Sequence, residues 1–478
     1  MAQGHIIPFL ALARLIERRN PLCSITIANT PLNVLSLRAA LPPDSSIHLA
    51  ELPFSSADHG LPAATENSDS LPSIDLFPRL LFASESLEPH FDRLLADLTA
   101  RHGYPPLCII ADVFTAWTLP TARKHRIPHF SFTTCGGFGS AVFMSLWLHL
   151  PHRNIAGEEF PVPGFPPDFR LHRTQMSHYM RAAAGSDDWS VYLRRQIGLC
   201  FKSDAMITNS VEEIEPKGVQ LLRQISGLAV YTVGPLVPLE YSVHSYRRSG
   251  KEIGIEVEAC ADWLESHRPE SVLYISFGSQ NTIGAAQMMA LAEGLEASGV
   301  PFIWVVRPPL GFDMNGNFRG EEWLPAGFEA RMEASRRGLV VRHWAPQLEI
   351  LSHRSIGGFL SHCGWNSVLE SLSRGVPVIG WPVASDQFYN SMMMEGEMGV
   401  AVELARGVTG DLDGGKVERV VRTVMKGEKG REMRERAARC REMIKAAMEE
   451  EAGEEHEKGS SLRAIDELLQ TAMAASSK

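Results

Sequence analysis

Short apolar runs alternate with amphipathic stretches along most of the chain. Ser24–Ala28 (SITIA), Leu107–Ala111 (LCIIA), His129–Phe132 and Ala205–Thr208 are apolar enough to be strands buried on both faces. Between them, Phe9–Arg19 puts Leu12 and Ile16 on one face with Leu15 beside them, the period of a helix. Strand, helix, strand in alternation predicts an α/β protein with a parallel, doubly wound sheet. The pattern breaks between Gly234 and about Ala261, where Pro235, Pro238 and Arg247-Arg248-Ser249-Gly250 interrupt any period, as an interdomain linker would. A second series follows: Val272–Phe277, Phe302–Val306, Leu339–Val341, Gly358–Ser361 and Pro377–Gly380. Two doubly wound, Rossmann-like halves are expected to face a cleft, because ligands bind beyond the carboxyl ends of such strands. The expected division is residues 1–235, a linker 236–261, a second domain 262–455 and a final helix within 456–478. Ser460 is placed to cap that helix, which carries Leu462, Ile465, Leu468 and Leu469 and is expected to pack back toward the N-terminal domain. The charge-rich run Glu449–Lys458 before it is expected to be mobile.

Charge and cysteine usage narrow the function classes. Of 478 residues, 46 are Lys or Arg and 56 Asp or Glu, a formal charge of −10 without a long basic run, which argues against a nucleic-acid partner. Any nucleotide must therefore be held by a local site. The seven cysteines are odd in number, widely spaced and free of a CxxC, so a reduced, cytoplasmic setting is expected, with neither disulfide framework nor zinc knuckle. No charged-then-apolar leader opens the chain, and Phe138–Leu150 is too short to span a bilayer, so no integral membrane segment is expected.

The chemistry concentrates in Trp344–Gln387, WAPQLEILSHRSIGGFLSHCGWNSVLESLSRGVPVIGWPVASDQ. Gly357–Ser361 reads as a strand ending at His362-Cys363-Gly364-Trp365. Asn366 reads as the N-cap of a helix Ser367–Arg374, closed by Gly375. A strand, a Gly-containing turn and a helix N-terminus form an anion site, since free backbone N–H groups and the helix dipole point at its occupant. His362, Asn366 and Ser367 can add donors around a diphosphate, and Glu370, one turn on, can accept ribose hydroxyls. Trp344 precedes Ala345-Pro346, an extended context that can hold an indole against a base, and Asp386-Gln387 offer polar groups to a sugar. Each of these alone is ordinary: a capped helix, a core tryptophan, a turn aspartate. Their joint order in one window is not.

This window resembles, over its full length, the signature box of plant secondary-product glycosyltransferases, the family-one UDP-glycosyltransferases of GT-B fold. Gly4-His5, Ala111-Asp112, Gly234-Pro235, Phe277-Gly278-Ser279 and Ser460-Ser461 extend the similarity over nearly the whole chain. The resemblance implies an N-terminal acceptor-binding domain and a C-terminal UDP-sugar-binding domain. It implies that Trp344 stacks on uracil, that Ala345 and Gln347 contact uracil and ribose, and that Glu370 takes the ribose hydroxyls. His362, Asn366, Ser367 and Ser279 would hold the diphosphate, and Trp365, Asp386 and Gln387 the sugar. A terminal Gln in the box goes most often with glucose, so UDP-glucose is the expected donor, a co-substrate rather than a cofactor, with no metal required and a monomer expected.

Transfer to a hydroxyl needs a base near neutral pH, for which histidine is suited. His5 is expected in a loop between Gly4 and a helix begun by Pro8, and Asp112 at the carboxyl end of the strand Leu107–Ala111. An aspartate bonded to the imidazole would fix its tautomer and stabilise its cation, and in the resembled family the matching His is the base and the matching Asp its partner. The expected reaction is in-line attack by the acceptor oxygen with inversion. Thr133 or Thr134 would touch the sugar. Phe114, Trp117, Phe138, Phe143, Met144, Trp147, Met176 and Tyr179 are candidates for an apolar acceptor pocket suited to a phenol or flavonoid. One departure stands out: the family has an apolar strand before the Gly-His pair, and here only Met1-Ala2-Gln3 precede it. The first N-terminal strand is thus expected to be missing, with open flanking edges, reduced stability and a mobile His5. Two rival functions fit the same features: a nucleotide-sugar epimerase, and an impaired or non-catalytic UDP-sugar-binding protein.

Overall fold

A computed structural model describes residues 3–237, 254–314, 316–408, 410–450 and 457–476. Most of the expected linker, including Arg247-Arg248-Ser249-Gly250, lies outside the described residues, as does the middle of the run Glu449–Lys458. The chain divides into two compact units, one of Met1–Arg173, Tyr179–Glu240 and Ala446–Lys478, the other of Thr174–His178 and Tyr241–Lys445. The second thus ends ten residues before the expected boundary at 455, because the last turn of the long helix Glu428–Ala447 already groups with the first unit. Among the described residues no helix is long and apolar enough to cross a membrane.

The first unit opens on helix α1, Gln3–Arg19, with His5 in its first turn and Pro8 inside it. The loop expected around His5 and the helix start expected at Pro8 are therefore both corrected. Proline's φ is already helical; its missing N–H and its crowding of the preceding turn carry a local cost of about 3 kcal/mol, set against the burial of Leu12, Leu15 and Ile16 farther along the same helix. Leu12, Leu15 and Ile16 of α1 are buried in one cluster with Phe130, Phe132, Ala205 and Ile207 of the sheet and with Leu462, Ile465, Leu468 and Leu469 of the last helix, Ser460–Ser476. Each large aliphatic side chain buried there contributes roughly 1.5–3 kcal/mol. Ser460 is the first residue of that helix, and its hydroxyl donates to Glu213 at 3.0 Å.

The strands of this unit are β1 Thr26–Asn29, β2 His48–Glu51, β3 Ile109–Asp112, β4 His129–Thr133, the hairpin β5 Glu159–Pro161 and β6 Arg170–His172, then β7 Ala205–Thr208 and β8 Val230–Thr232. Helices α2, Gly137–His149, and α3, Pro216–Ser226, pack on each other, and α3 also on β8. The parallel strands fall into two ladders, β1-β2 and β3-β4-β7-β8. Ile25, preceding β1, and Ile110 of β3 pack on one apolar cluster; Ala28 and Ile109 pack on another. So β1 and β3 share the same two packing layers, yet among the described residues they share no ladder and each has one edge without a strand partner.

In the second unit, β9 Val272–Ser276, β10 Phe302–Val306, β11 Gly338–Arg342, β12 Ile356–Ser361, β13 Val378–Gly380 and β14 Ala401–Glu403 form one sheet in the order β11-β10-β9-β12-β13-β14, parallel throughout. Helix α4, Ala285–Ser298, lies against the later helix Gly414–Lys426. Gly294 sits at their contact: a Cβ there would come 2.4 Å from Val417 Cβ and 2.5 Å from the Gly414 carbonyl oxygen. Alanine gains about 1 kcal/mol of helix propensity at such a site, but overpacking against backbone costs about 1–3 kcal/mol. We expect Gly294→Ala to lower the thermal midpoint of this unit by a few degrees in calorimetry; an unchanged or raised midpoint would show that the two helices separate freely.

Candidate functional site

The order β11-β10-β9-β12-β13-β14 reverses direction between β9 and β12. At such a switch point the connections leave to opposite faces, and a crevice opens beyond the strands' carboxyl ends. Phe277-Gly278-Ser279 leave β9 there, and His362-Cys363-Gly364 leave β12. Next come α5, Gln347–Ser352, α6, Trp365–Leu372, and α7, Gln387–Met393.

The N-cap of α6 is Gly364, with extended φ −62° and ψ 135°, and not Asn366 as expected; Asn366 lies inside the first turn. The reason is the turn before it. Cys363 adopts a left-handed φ of 63°, and its N–H is received by Ser361 Oγ at 3.1 Å, which swings the chain into the helix two residues early. Glycine is required next because the His362 imidazole lies against the backbone. A Cβ on Gly364 would fall 2.4 Å from His362 Nε2, and one on Gly278 2.8 Å from the same nitrogen. The ring is thus clamped between two glycines. Burial pushes its pKa down to about 4, against a weaker opposing effect from a hydrogen bond with the Ser276 backbone, so it is neutral near pH 7. Its Nδ1 is buried without a hydrogen-bond partner.

Beside it, Gln347 Nε2 donates to Ser367 Oγ at 3.1 Å and to Glu370 Oε2 at 2.5 Å, while Gln347 Oε1 accepts from Tyr274 Oη at 3.2 Å. Glu370 keeps some surface as a residue, yet burial of its carboxyl, opposed by the Gln347 bond, pushes its pKa up to about 7. Trp344 is half-buried, and its carbonyl accepts from the Gly254 N–H at 2.9 Å; Ala345 is buried. Ser279 is exposed, its carbonyl accepting from the Arg307 guanidinium at 2.8 Å. Trp365 as a whole is only 3% exposed, so its indole offers no open face for a ligand to stack on. Gln387 Oε1 accepts from the Val383 and Ala384 N–H groups at 3.1 and 2.9 Å, which turns its amide nitrogen away from that loop. Asp386 Oδ2 accepts from Asn390 Nδ2 at 2.8 Å, and the same nitrogen donates to the Cys363 carbonyl at 3.0 Å. Tyr274 and Asn390 were missed from the sequence. Asn390 was findable, four residues beyond Asp386 on a helix; Tyr274, inside a buried strand, gave no signal.

In the first unit, His5 Nδ1 lies 2.6 Å from Asp112 Oδ2, and Asp112 Oδ1 accepts from the Phe114 N–H at 2.8 Å. The aspartate therefore both starts the turn after β3 and holds the imidazole. Burial would raise its carboxyl, but the His5 ring and the bonds from His5 and Phe114 outweigh that and hold it below the usual carboxylate range. Phe114 stacks on the His5 ring at 5.0 Å and 22°. From it an aromatic series continues through Phe143, Trp147, Trp189 and Tyr179, with Phe77 edge-on to Phe114. Phe77 and Trp189 join this series only through tertiary packing. Phe138, Met144, Trp147 and Met176 are core residues, at most 4% exposed, and the Trp117 indole N–H donates to Ser84. Thr133 and Thr134 are buried, and the Thr133 hydroxyl is bonded to Ser140 Oγ at 2.7 Å.

Residues 219–435 match the family described as UDP-glucoronosyl and UDP-glucosyl transferase. The chain is 48% identical over 469 residues to crocetin glucosyltransferase 3 of Crocus sativus, an alignment covering 95% of this chain and 94% of that one. The chain belongs to the plant UDP-glycosyltransferase family. UDP-glycosyltransferase 92A1 of Arabidopsis thaliana is 40% identical over 99% of this glycosyltransferase and 96% of its own length. The structure of Phytolacca americana UGT2 complexed with UDP-2-fluoro-glucose and pterostilbene superposes with a TM-score of 0.77 at 27% identity, covering 99% of this chain and 98% of that one. The glycosyltransferase thus has the GT-B fold, and its two units are that fold's two Rossmann-like domains.

The raised pKa of Glu370 makes the ligand-free stability of the glycosyltransferase depend on pH. Its unfolded value lies near 4.5 and its folded value near 7, so the folded state holds the extra proton between them. Stability contributed by this group is complete below the unfolded value and falls as pH rises through the folded one, by on the order of 3 kcal/mol. Glu370→Gln, which can still accept from Gln347, should therefore gain thermal midpoint relative to wild type on going from pH 5 to pH 8. A difference that stays flat across that range would contradict the burial of this carboxyl.

Proposed function

We propose that this glycosyltransferase moves glucose from UDP-glucose, with inversion, to a hydroxyl of a flat aromatic small molecule. The observation that carries the reading is the His5–Asp112 pair at 2.6 Å with an aromatic wall built on the same imidazole. An imidazole whose Nδ1 is engaged by a carboxylate has Nε2 as its basic nitrogen. His5 Nε2 takes the acceptor's hydroxyl proton, Asp112 stabilises the resulting cation, and the oxygen attacks the anomeric carbon from the face opposite UDP. Phe114, Phe143 and Trp189 suit a planar acceptor by stacking.

In the second unit, Trp344 stacks on uracil, with Ala345 main chain and Gln347 at the uracil and ribose. Glu370 accepts the ribose hydroxyls, exchanging its Gln347 contact for them. Ser279, His362, Asn366, Ser367 and the first amides of α6 hold the diphosphate and stabilise the charge that develops as it leaves. A neutral His362 serves there as an N–H donor. Asp386 and Gln387 hold the glucose, with the main chain at Trp365. Support for a UDP-sugar donor comes from the UDP-2-fluoro-glucose bound in the Phytolacca relative, and for a glucose preference from relatives named as glucosyltransferases.

The test incubates the purified protein with UDP-glucose, UDP-galactose or UDP-glucuronate and a panel of phenols, reading product by mass and anomeric configuration by NMR coupling. We expect a β-glucoside from the α-linked donor. His5→Ala should lower turnover by about 10²–10⁴-fold while calorimetry shows unchanged UDP affinity. Retained turnover in His5→Ala would remove the base from this assignment, and an α-linked product would remove inversion.

A further inference from the structure

We propose that a hollow beside the β5–β6 hairpin, built only from residues of the first unit, binds a small oxyanion: a phosphate or carboxylate group of a ligand outside the transfer reaction. The hollow has a volume of about 590 Å³ and is lined by His152, Arg153, Asn154, Arg173, Arg181 and Ala183, among others.

Its charge is the first observation. Three guanidinium groups share one lining, and among the described residues none of Arg153, Arg173 and Arg181 has a carboxylate within ion-pair distance. The acidic residues beside the hollow lie against other side chains: Glu158 is 3.9 Å from His172 and Glu159 3.9 Å from Arg170. Arg173 builds the loop, donating from Nε to the Gly157 carbonyl at 3.0 Å and from Nη2 to those of His152 at 2.7 Å and Ile155 at 2.5 Å. Arg153 Nη1 donates to the Ala183 carbonyl at 3.2 Å, which leaves its other N–H groups open. Among the described residues Arg181 has no partner, and it is exposed.

The second observation is His152. It is 3% exposed and lines the hollow, yet among the described residues neither ring nitrogen has a hydrogen-bond partner. An imidazole carries at least one N–H in either protonation state, and a buried donor left unsatisfied costs about 1–3 kcal/mol. Such a group needs an occupant to explain it. One imidazole N–H and two arginine forks with free donors are the complement of an oxyanion, while a cation would be repelled by the three guanidinium groups. Burial, together with the charges of Arg173 and Arg153, lowers the His152 pKa; a bound anion would oppose that effect.

The test titrates histidine-selectively ¹⁵N-labelled protein with inorganic phosphate and, separately, with acetate. It follows the His152 imidazole signals, assigned by their loss in His152→Gln, and in parallel the thermal midpoint, which needs no assignment. We expect saturable shifts of His152, a rise in its pKa and a raised midpoint, all weakened about tenfold in Arg153→Gln/Arg181→Gln, a loss of roughly 1.4 kcal/mol. The exposed arginine positions make that variant safe for folding. Stronger binding of phosphate identifies a phosphorylated ligand, stronger binding of acetate a carboxylated one. His152 signals and midpoint unmoved by both probes, or equal responses in wild type and the double variant, would overturn the proposal. UDP affinity is a separate readout on other residues, so the donor assignment and this one fail independently.

Discussion

The reversal of strand order between β9 and β12 is the constraint on which the donor site depends. Every ladder in this sheet is parallel, so every strand needs a crossover, and only where successive crossovers go to opposite faces do the carboxyl ends stay uncovered. Ser279 and His362 are brought to one crevice by that reversal although more than eighty positions separate them. The crevice is tight. His362 fits only because Gly278 and Gly364 present no Cβ to its ring, and Cys363 takes a left-handed φ of 63° to start α6 beside it. A non-glycine residue in that conformation costs on the order of 1 kcal/mol, which the surrounding buried strands of the second unit over-determine.

Around that turn the polar groups are positioned before any ligand arrives. Tyr274 fixes which end of the Gln347 amide faces Glu370, and Asn390 joins the turn at Cys363 to the turn at Asp386. Ordering side chains in advance lowers the entropy that binding must overcome. The burial that makes this order possible also protonates Glu370 more readily than an exposed glutamate, so this carboxyl is held near the midpoint of its titration.

The first unit solves a related problem with fewer parts. Asp112 ends a buried strand, where a carboxylate would be costly alone, and it is satisfied on both oxygens, by the Phe114 N–H and by His5. His5 in turn is carried on α1, whose Leu12, Leu15 and Ile16 are buried against the sheet and the last helix. Among the described residues, β1 and β3 are joined by shared side-chain clusters rather than by a backbone ladder.

By itself, the sequence determined the α/β class, the strands with long apolar runs, and the window Trp344–Gln387 with its order of donors and acceptors, because period and local turn chemistry are encoded within a few residues. It missed β2, the hairpin β5–β6, β8 and β14, which are three or four residues long and too short to show a period. It misplaced the start of α1, since proline tolerance depends on where in a helix the proline falls, and the start of α6, since the cap was chosen by the fit of His362 against Gly364. Only the tertiary structure decided that Tyr274 orients Gln347, that Trp189 and Phe77 join the aromatics beside His5, and that His152 is buried beside three arginines. Those are contacts between residues far apart in the chain, and their geometry exists only once the sheets and helices are packed.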